Sequence, residues 1–474
     1  MPQCTYSVCY NINMKNILII SDGFLYGGFE TRTLKELVEA KKHHYNIFLA
    51  CIDYNQEENA FKQVLILKHP LSDYNDFIEI KDILATRDQI IDFCKKNRID
   101  LIECHPYWCL LPATLAAEKL HIPTTCTLHG VTSGNFITPS PANIGLRTLY
   151  YLVFKYGFNQ IIAVAEYLCK QYSYLSSNIT ITRNGINLTQ KTRPRYSPRN
   201  GYFCIASRLD IPKTKLIEDF LPTLHALPEV YHIDIFGDGD QLGSLKSFID
   251  QNRFNKISIK GWHKNLPQVF IDNHYTAIFG MGQVALEAFS SNTPVGILGY
   301  GGFAGLINKT KNLSYFMKNN FTDWKTYNID LKKELQELKK NPNNYLLSYQ
   351  EISKFDQSNI WNSHFKTEES LAHSEKPILN VLNHLLENHS NKDIDLKKFF
   401  SESDFPDTQS DTIYQLFLEN IKNGLKANQV DKLKQSNVSK TAEINALKKE
   451  INDITNSGFW KTTKPLRKLL NKLH

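Results

Sequence analysis

Two series of short apolar segments, each alternating with amphipathic segments of helical length, restrict the fold of this chain more than any other feature. In the first series, the runs that favour strands lie near 16–20, 46–52, 100–104, 123–128, 160–164 and 178–182. The helical segments between them lie near 30–41, 83–96, 110–120 and 166–175. This alternation predicts βαβ units, in which parallel strands form a sheet that helices cover.

The alternation restarts after a polar stretch that contains Pro194 and Pro198 and follows an Asn184-Gly185 turn. Strands of the second series are predicted at 202–206, 231–236, 256–260, 275–279 and 294–298. Helices are predicted between them at 213–226, 241–252, 265–272 and 283–290. Two doubly wound sheets in tandem place a ligand cleft between the carboxyl ends of their strands.

We therefore predict an α/β protein with two Rossmann-like domains and a helical C-terminal tail. The predicted divisions are a short disordered lead at 1–13, a first domain at 14–190, a linker at 191–201, a second domain with a helical extension at 202–390, and a charged linker, coiled coil and basic tail at 391–474. After about residue 311 the pattern is mostly helical and polar.

Charge and cysteine usage narrow the class of protein. A formal charge of +7 over 474 residues argues against a dedicated nucleic-acid-binding protein. The nine cysteines show no CxxC spacing, which favours reduced thiols in a cytoplasm. No apolar run reaches the roughly 18 residues that a membrane-spanning helix needs, and residues 1–13 lack the features of a signal peptide.

The tail carries two predicted interaction elements. Apolar residues at heptad spacing between 430 and 454 predict a coiled coil, which favours a homo-oligomer. Asn437 and Lys440 interrupt its apolar positions. Residues 457–474 combine basic, aromatic and leucine side chains without an acid. This end lies either on an anionic membrane surface or against the coiled coil or a partner subunit.

The second domain contains the strongest candidate binding residues. Arg208 follows the strand at 202–206, Lys213 begins the next helical segment, and Glu287 lies near the start of a later helix. Guanidinium and ammonium groups match the oxygens of a diphosphate, and a carboxylate matches a ribose diol. Together they predict a nucleotide-sugar site, against the alternative that the two cations are solvated side chains.

Other candidates lie at predicted strand ends. Gly27 and Gly28 either let the backbone approach a phosphate or sugar, or form an ordinary strand-to-helix turn. His129, and less strongly His105, either contact substrate or are turn residues without a role. Asp238 and Asp240 favour a turn and helix cap over a magnesium site. The loop at 299–302 either cradles a phosphate or is flexible.

Taken together, these motifs resemble the family-4 retaining glycosyltransferases of the GT-B fold over roughly residues 14–308. Residues 27–30 resemble the family's GG-x-E loop, and 127–130 its cleft histidine motif. Further similar passages are Ala163–Leu168 with Arg183–Ile186, Ala206–Leu209 with Lys213, Phe236–Gly239, Gly261-Trp262, and Leu286–Ala288 with Thr293–Val295.

The resemblance implies roles for individual residues. Arg208 and Lys213 hold the donor diphosphate and act in catalysis with His129, which faces the donor sugar, while Glu287 binds the ribose. Further donor contacts are expected from Gly27, Gly28, Gly261, Trp262, His263, Gly280, Met281 and Gly282. The resemblance implies no chelated metal and no cofactor beyond a UDP- or GDP-linked sugar. The glycan acceptor is the second expected partner.

One position departs from the family, which usually has two glutamates separated by seven residues. Glu287 is the second, and Phe279 stands where the first, which contacts the donor sugar, is expected. This departure keeps two alternatives open: a catalytically impaired scaffold that binds partners through the coiled coil, and a GT-B sugar-nucleotide epimerase or hydrolase.

Residues 457–467 are similar to an ending found on bacterial surface-polysaccharide glycosyltransferases. This similarity implies a cytoplasmic enzyme, peripheral on the inner face of the membrane, that acts on a lipid-linked acceptor.

Overall fold

The computed structural model describes residues 15–24, 28–54, 61–68, 77–130, 133, 144–173, 175–176, 179–188, 194–388 and 393–395. The predicted lead at 1–13, Gly27, the coiled coil at 430–454 and the basic tail at 457–474 lie outside these residues. Within them, no helix is both long enough and apolar enough to cross a membrane.

A seven-stranded parallel sheet forms the first half of the chain, with the order β3-β2-β1-β5-β6-β7-β8. Its strands are β1 (Lys15–Phe24), β2 (Tyr45–Tyr54), β3 (Val64–Ile66), β5 (Leu101–Cys104), β6 (Thr124–Leu128), β7 (Gln160–Ala163) and β8 (Ile179–Ile181). The central strands are buried on both faces, as expected for a parallel sheet that helices cover.

Helices connect these strands and cover the sheet. They are α1 (Gly28–Lys42), α2 (Ile80–Asn97), α3 (Leu110–Leu120), α4 (Ile144–Tyr156) and α5 (Glu166–Gln171). A separate antiparallel pair joins β4 (Phe77–Glu79) to β15 (Asp393–Asp395).

The second sheet has six strands in the order β11-β10-β9-β12-β13-β14. They are β9 (Tyr202–Ala206), β10 (His232–Phe236), β11 (Ile257–Gly261), β12 (Ala277–Gly280), β13 (Val295–Gly299) and β14 (Gly302–Leu306), of which β14 is antiparallel to its neighbour. The helices that follow in this half are α6 (Ile211–His225), α7 (Leu242–Gln251), α8 (Leu266–Asn273), α9 (Gln283–Ser290), α10 (Leu313–Lys318), α11 (Leu331–Lys340) and α12 (Tyr349–Ile352). The prediction of an α/β fold with two largely parallel sheets is confirmed.

The chain then returns to the first half. Helix α13 (Gln357–Glu369) packs on α1, and α14 (Pro377–Asn388) packs on α2, α3 and α4. Leu379, Leu382 and Leu386 belong to the apolar core of the first sheet. These helices lie within 202–390, the range that the sequence assigns to the second domain, yet they pack against the first. Helical periodicity shows that a face is buried but not which domain covers it.

Candidate functional site

Asp22 anchors the loop that leaves strand β5 at the carboxyl edge of the first sheet. Its carboxylate accepts hydrogen bonds from the backbone amides of Tyr107, Trp108 and Cys109, at 2.9, 3.0 and 3.1 Å. Burial raises the pKa of Asp22, and the three amides oppose that shift. This anchor fixes the start of α3 and the path of the chain just after His105.

His105 and His129 form a pair at the ends of neighbouring strands β5 and β6. His105 Nδ1 lies 2.7 Å from His129 Nε2, and the ring of Phe29 lies 4.5 and 5.5 Å from the two imidazole centroids. Burial lowers the pKa of His105 to about 4 and that of His129 well below its ordinary value, so both imidazoles are neutral at physiological pH. Gly28 begins α1 immediately before Phe29. The pair presents neutral hydrogen-bonding groups at the sheet edge.

In the second domain, Asp210 lies between the two predicted diphosphate-binding cations. Its Oδ2 is 2.8 Å from both Nε and Nη2 of Arg208 and 3.6 Å from Nζ of Lys213. The other oxygen, Oδ1, accepts from the Lys213 amide at 3.1 Å and so caps helix α6. The Arg208 side chain is 54% exposed, whereas that of Lys213 is 18% exposed. Arg208 is therefore the more solvent-accessible of the two cations and is bonded to Asp210, while Lys213 is the more enclosed.

Lys213 also borders a small hollow at the carboxyl ends of β9 and β12. Its lining includes Ser207, Gly280 and Met281 together with apolar side chains of α6 and β13. Gly282 has φ of 58°, a conformation that favours glycine, and its amide donates to the carbonyl of Phe321 at 3.0 Å. The structure therefore places Gly280 and Met281 beside Lys213, whereas the Gly282 amide already has a backbone partner.

Glu287 faces the first domain from helix α9. Its Oε1 accepts from Gln283 Nε2 at 3.0 Å and lies 3.5 Å from Nζ of Lys35 on α1. Lys35 also donates to the carbonyl of Gly185 at 3.0 Å. Burial lowers the pKa of Lys35, and the Glu287 carboxylate opposes that shift. The sequence reasoning missed Lys35, although its position one turn after Glu30 placed it on the helix that borders the cleft.

The remaining sequence candidates occupy the edge beside β10 and β11. Gly261 ends β11 with φ of 74°, Trp262 is 53% exposed, and His263 Nδ1 accepts from the Asn265 amide at 3.1 Å. Oδ1 of Asp238 accepts a hydrogen bond from the backbone amide of Gly239, within the same turn, at 2.8 Å. Among the described residues, the histidine and carboxylate groups close enough to share a metal ion do not include Asp238 or Asp240.

The glycine-rich loop at 299–302 is the turn of the hairpin that joins β13 to β14. Its Gly301 amide lies 3.4 Å from the carbonyl of Asp323, and a side chain at Gly299 would collide with the Asp323 backbone. Tyr300 stacks on Trp324 at 4.0 Å. The loop is therefore a packed hairpin turn rather than a flexible loop, and its contact with a phosphate stays a prediction. The antiparallel strand β14 escaped the sequence analysis.

Phe279, at the position of the missing glutamate, lies inside strand β12 with no exposed surface. Its ring packs against Phe220, Phe203 and Phe303, with centroid distances of 4.8, 6.0 and 5.8 Å. The strand runs to Gly280, and α9 begins at Gln283. Position 279 therefore belongs to the core, where a carboxylate would find no polar partner among these rings.

We predict that Phe279→Glu does not introduce a cleft carboxylate but destabilises the second domain. The change removes a buried ring and buries an unpaired charge, so the expected loss in unfolding free energy is at least ~4 kcal/mol. Phe279→Leu is the matched control, with an expected loss of about 1–2 kcal/mol. Urea unfolding followed by fluorescence measures both. A Phe279→Glu protein as stable as the wild type would contradict the buried placement.

Comparison with known proteins agrees with this fold. The model of Glycosyltransferase Family 4 matches residues 26–190. HepE from Anabaena in complex with UDP superposes with a TM-score of 0.56 at 14% identity, covering 76% of this chain and 100% of that chain. Sucrose-phosphate synthase from Thermosynechococcus elongatus gives 0.54 at 13% identity, covering 75% and 98%. The pneumococcal O-GlcNAc transferase GtfA in complex with UDP and GlcNAc gives 0.52 at 13% identity, covering 75% and 99%.

No curated protein sequence matches the chain. At 13–14% identity the structural likeness demonstrates a shared fold, and the family match covers the first domain. These findings confirm the resemblance that the motifs indicated.

Proposed function

We propose that the chain, whose residues 26–190 match Glycosyltransferase Family 4, is a glycosyltransferase of that family that transfers a sugar from a UDP-sugar to a glycan acceptor. The observation that carries this proposal is the convergence of Lys213, Ser207 and the Gly280-Met281 backbone on one hollow, with Arg208 adjacent in sequence. The hollow lies at the carboxyl ends of parallel strands, where nucleotides bind in open α/β sheets.

In this proposal the cations of the second domain stabilise the leaving diphosphate. Arg208 turns from Asp210 to the phosphates, and Lys213 approaches them from the first turn of α6. As the bond between sugar and phosphate breaks, negative charge grows on the phosphate oxygens, and fixed cations stabilise that charge. Glu287 binds the ribose hydroxyls, for which it exchanges its contact with Lys35. His129 faces the donor sugar from the first domain, with His105 bonded to it.

The donor base is proposed as uracil. HepE and GtfA are described in complex with UDP, and both share the fold of this chain. The backbone near Gly261, Trp262 and His263 is the proposed base-binding edge, with Trp262 offering an exposed ring. A GDP-linked donor is the alternative that the sequence leaves open.

The proposed acceptor is a lipid-linked surface glycan. Support comes from the sequence of 457–474, which is basic, aromatic and similar to the ending of surface-polysaccharide enzymes. We propose that this segment lies on the inner face of the cell membrane and that 430–454 joins copies of the chain. Both segments lie outside the described residues.

We predict that Lys213→Ala weakens UDP binding by roughly tenfold to a hundredfold, the equivalent of one lost charge-assisted contact. Lys215→Ala is the matched control, because it removes the same charge from the same helix. Lys215 is 67% exposed and pairs with Asp219, away from the hollow. Calorimetric titration of both variants with UDP measures the difference. If both variants bound UDP with equal affinity, Lys213 would not be a residue of the UDP site.

Asp210→Asn is predicted to tighten UDP binding by a few-fold to tenfold. Asparagine still caps helix α6, so the fold is retained, while the negative charge that competes with the diphosphate for Arg208 and Lys213 is removed. The same calorimetric titration measures the effect, and thermal unfolding without ligand serves as the stability control. Weaker binding would mean that Asp210 orients the cations rather than competing for them.

We predict that the full chain, incubated with UDP-sugars and lipid-linked glycans, releases UDP only when donor and acceptor are both present. Coupled detection of UDP, together with chromatography of the sugar, measures this reaction. Free sugar without an acceptor would favour a hydrolase, and an isomerised donor would favour an epimerase. Turnover with GDP-sugars alone would show that the donor base is guanine rather than uracil, and the proposed sugar transfer would stand.

A further inference from the structure

A cluster of charged side chains lies wholly inside the first domain, where α1, β5 and α13 meet. Glu36, Glu103 and His364 each offer one donor atom, and these atoms lie within 4.8 Å of one another. Glu36 and Glu103 have no exposed surface, and His364 is 3% exposed. A fourth group, Glu368, is also fully buried one turn along α13. None of these residues belongs to the proposed donor site.

Several of these buried groups lack hydrogen-bond partners. Both carboxylate oxygens of Glu36 and both of Glu368 have none, and neither do Oε2 of Glu103 and Nε2 of His364. An unpaired carboxylate is costly inside a protein, because it loses its hydration without compensation. One donor atom each of Glu36, Glu103 and His364 lies within 4.8 Å of the other two, and Oε1 of Glu368 lies 3.4 Å from His364 Nε2.

Charged side chains from neighbouring elements lie beside the cluster. Arg32 is the buried permanent cation, with its guanidinium 4.6 Å over the Trp361 ring and Nη1 donating to the Thr182 carbonyl at 3.3 Å. Lys15 donates to the backbone carbonyl of Glu368 at 2.8 Å, at the edge of the cluster. His105 Nε2 lies 3.4 Å from Glu103 Oε1. Three buried glutamates therefore lie near one guanidinium, one ammonium and two imidazoles.

The distances suit a small four-coordinate ion. Bonds of about 2.1 Å in a tetrahedron place the donor atoms about 3.4 Å apart. His364 Nε2 lies 3.4 Å from Glu368 Oε1 and 3.9 Å from Glu103 Oε2. The other imidazole nitrogen, Nδ1, is 3.4 Å from Thr182 Oγ1, an outer contact of the kind that orients metal-bound histidines.

We propose that Glu36, Glu103, His364 and Glu368 form a closed structural site for one divalent transition-metal cation, with zinc the best match. An imidazole nitrogen among the donors favours zinc over magnesium or calcium, and four protein ligands leave no open position for catalysis. The ion ties α13 to α1 and β5, and because the site is sealed, it enters as the chain folds.

The first experiment measures metal in the untagged full chain, expressed with zinc in the medium and purified without chelator. The expected content is about one zinc per chain, as for a structural four-ligand site. Glu36→Gln is expected to reduce it nearly to zero. Glu39→Gln is the matched control, since Glu39 is a buried glutamate of the same helix that bonds Lys42, Gln357 and Ser358 instead. This control is expected to retain the zinc.

A second measurement covers the case in which Glu36→Gln fails to fold. Wild-type protein is unfolded with a chelator and refolded with Zn²⁺, with Mg²⁺ or without metal. Zinc alone is expected to raise the unfolding temperature, by about 5–10 °C, and Co²⁺ is expected to give visible absorption bands. The proposal would be overturned if the wild-type protein contained far less than one metal ion per chain, unfolded at the same temperature after refolding with or without Zn²⁺, and gave no absorption bands with Co²⁺. Full zinc retention by Glu36→Gln would overturn it equally.

Discussion

Helix α1 provides the contacts on which the arrangement of the two halves depends. Lys35 reaches the carbonyl of Gly185 and the carboxylate of Glu287, which belongs to the second domain. One turn later, Glu39 accepts from Gln357 at 2.9 Å, at the start of α13. The same helix begins at the cleft edge beside the His105–His129 pair. Helix α1 therefore contacts both Glu287 of the second domain and the start of α13, and it begins at the edge of the first sheet.

This helix buries charge where most amphipathic helices bury an apolar stripe. Arg32, Glu36 and Glu39 have at most 2% of their surface exposed. Buried charges are tolerated only where partners are supplied, and Arg32 and Glu39 receive theirs from Trp361 and Gln357, far along the chain. Helix α13 therefore stabilises the first domain, because its removal would leave these charges unpaired.

The sequence predicted the architecture well because central parallel strands are continuous apolar runs between amphipathic helices. Shorter edge elements such as β3, β4 and β14 were missed, since three to five residues carry too little pattern. Helix α4 was missed as well. Arg208, Lys213 and Glu287 were found because each follows a strand end or begins a helix. Their donor roles remain proposals, whereas their positions are now described.

Other features could not be read from the sequence. The buried cluster joins Glu36, Glu103 and His364, which are far apart along the chain and come together only when α13 packs on α1. Asp210 was overlooked as a partner of the cations, although an aspartate before a proline-containing helix start is a recognisable cap. Long-range contacts of this kind depend on tertiary packing, which local periodicity does not encode.

The placement of Phe279 has a consequence for how this chain selects its donor sugar. Because β12 continues to Gly280 and α9 begins at Gln283, Met281 and Gly282 alone connect them, and no loop remains to carry a carboxylate. The Gly282 amide is already bonded to Phe321, and Gln283 is bonded to Glu287. Between the end of β12 and the start of α9, the described residues therefore offer a ligand no carboxylate.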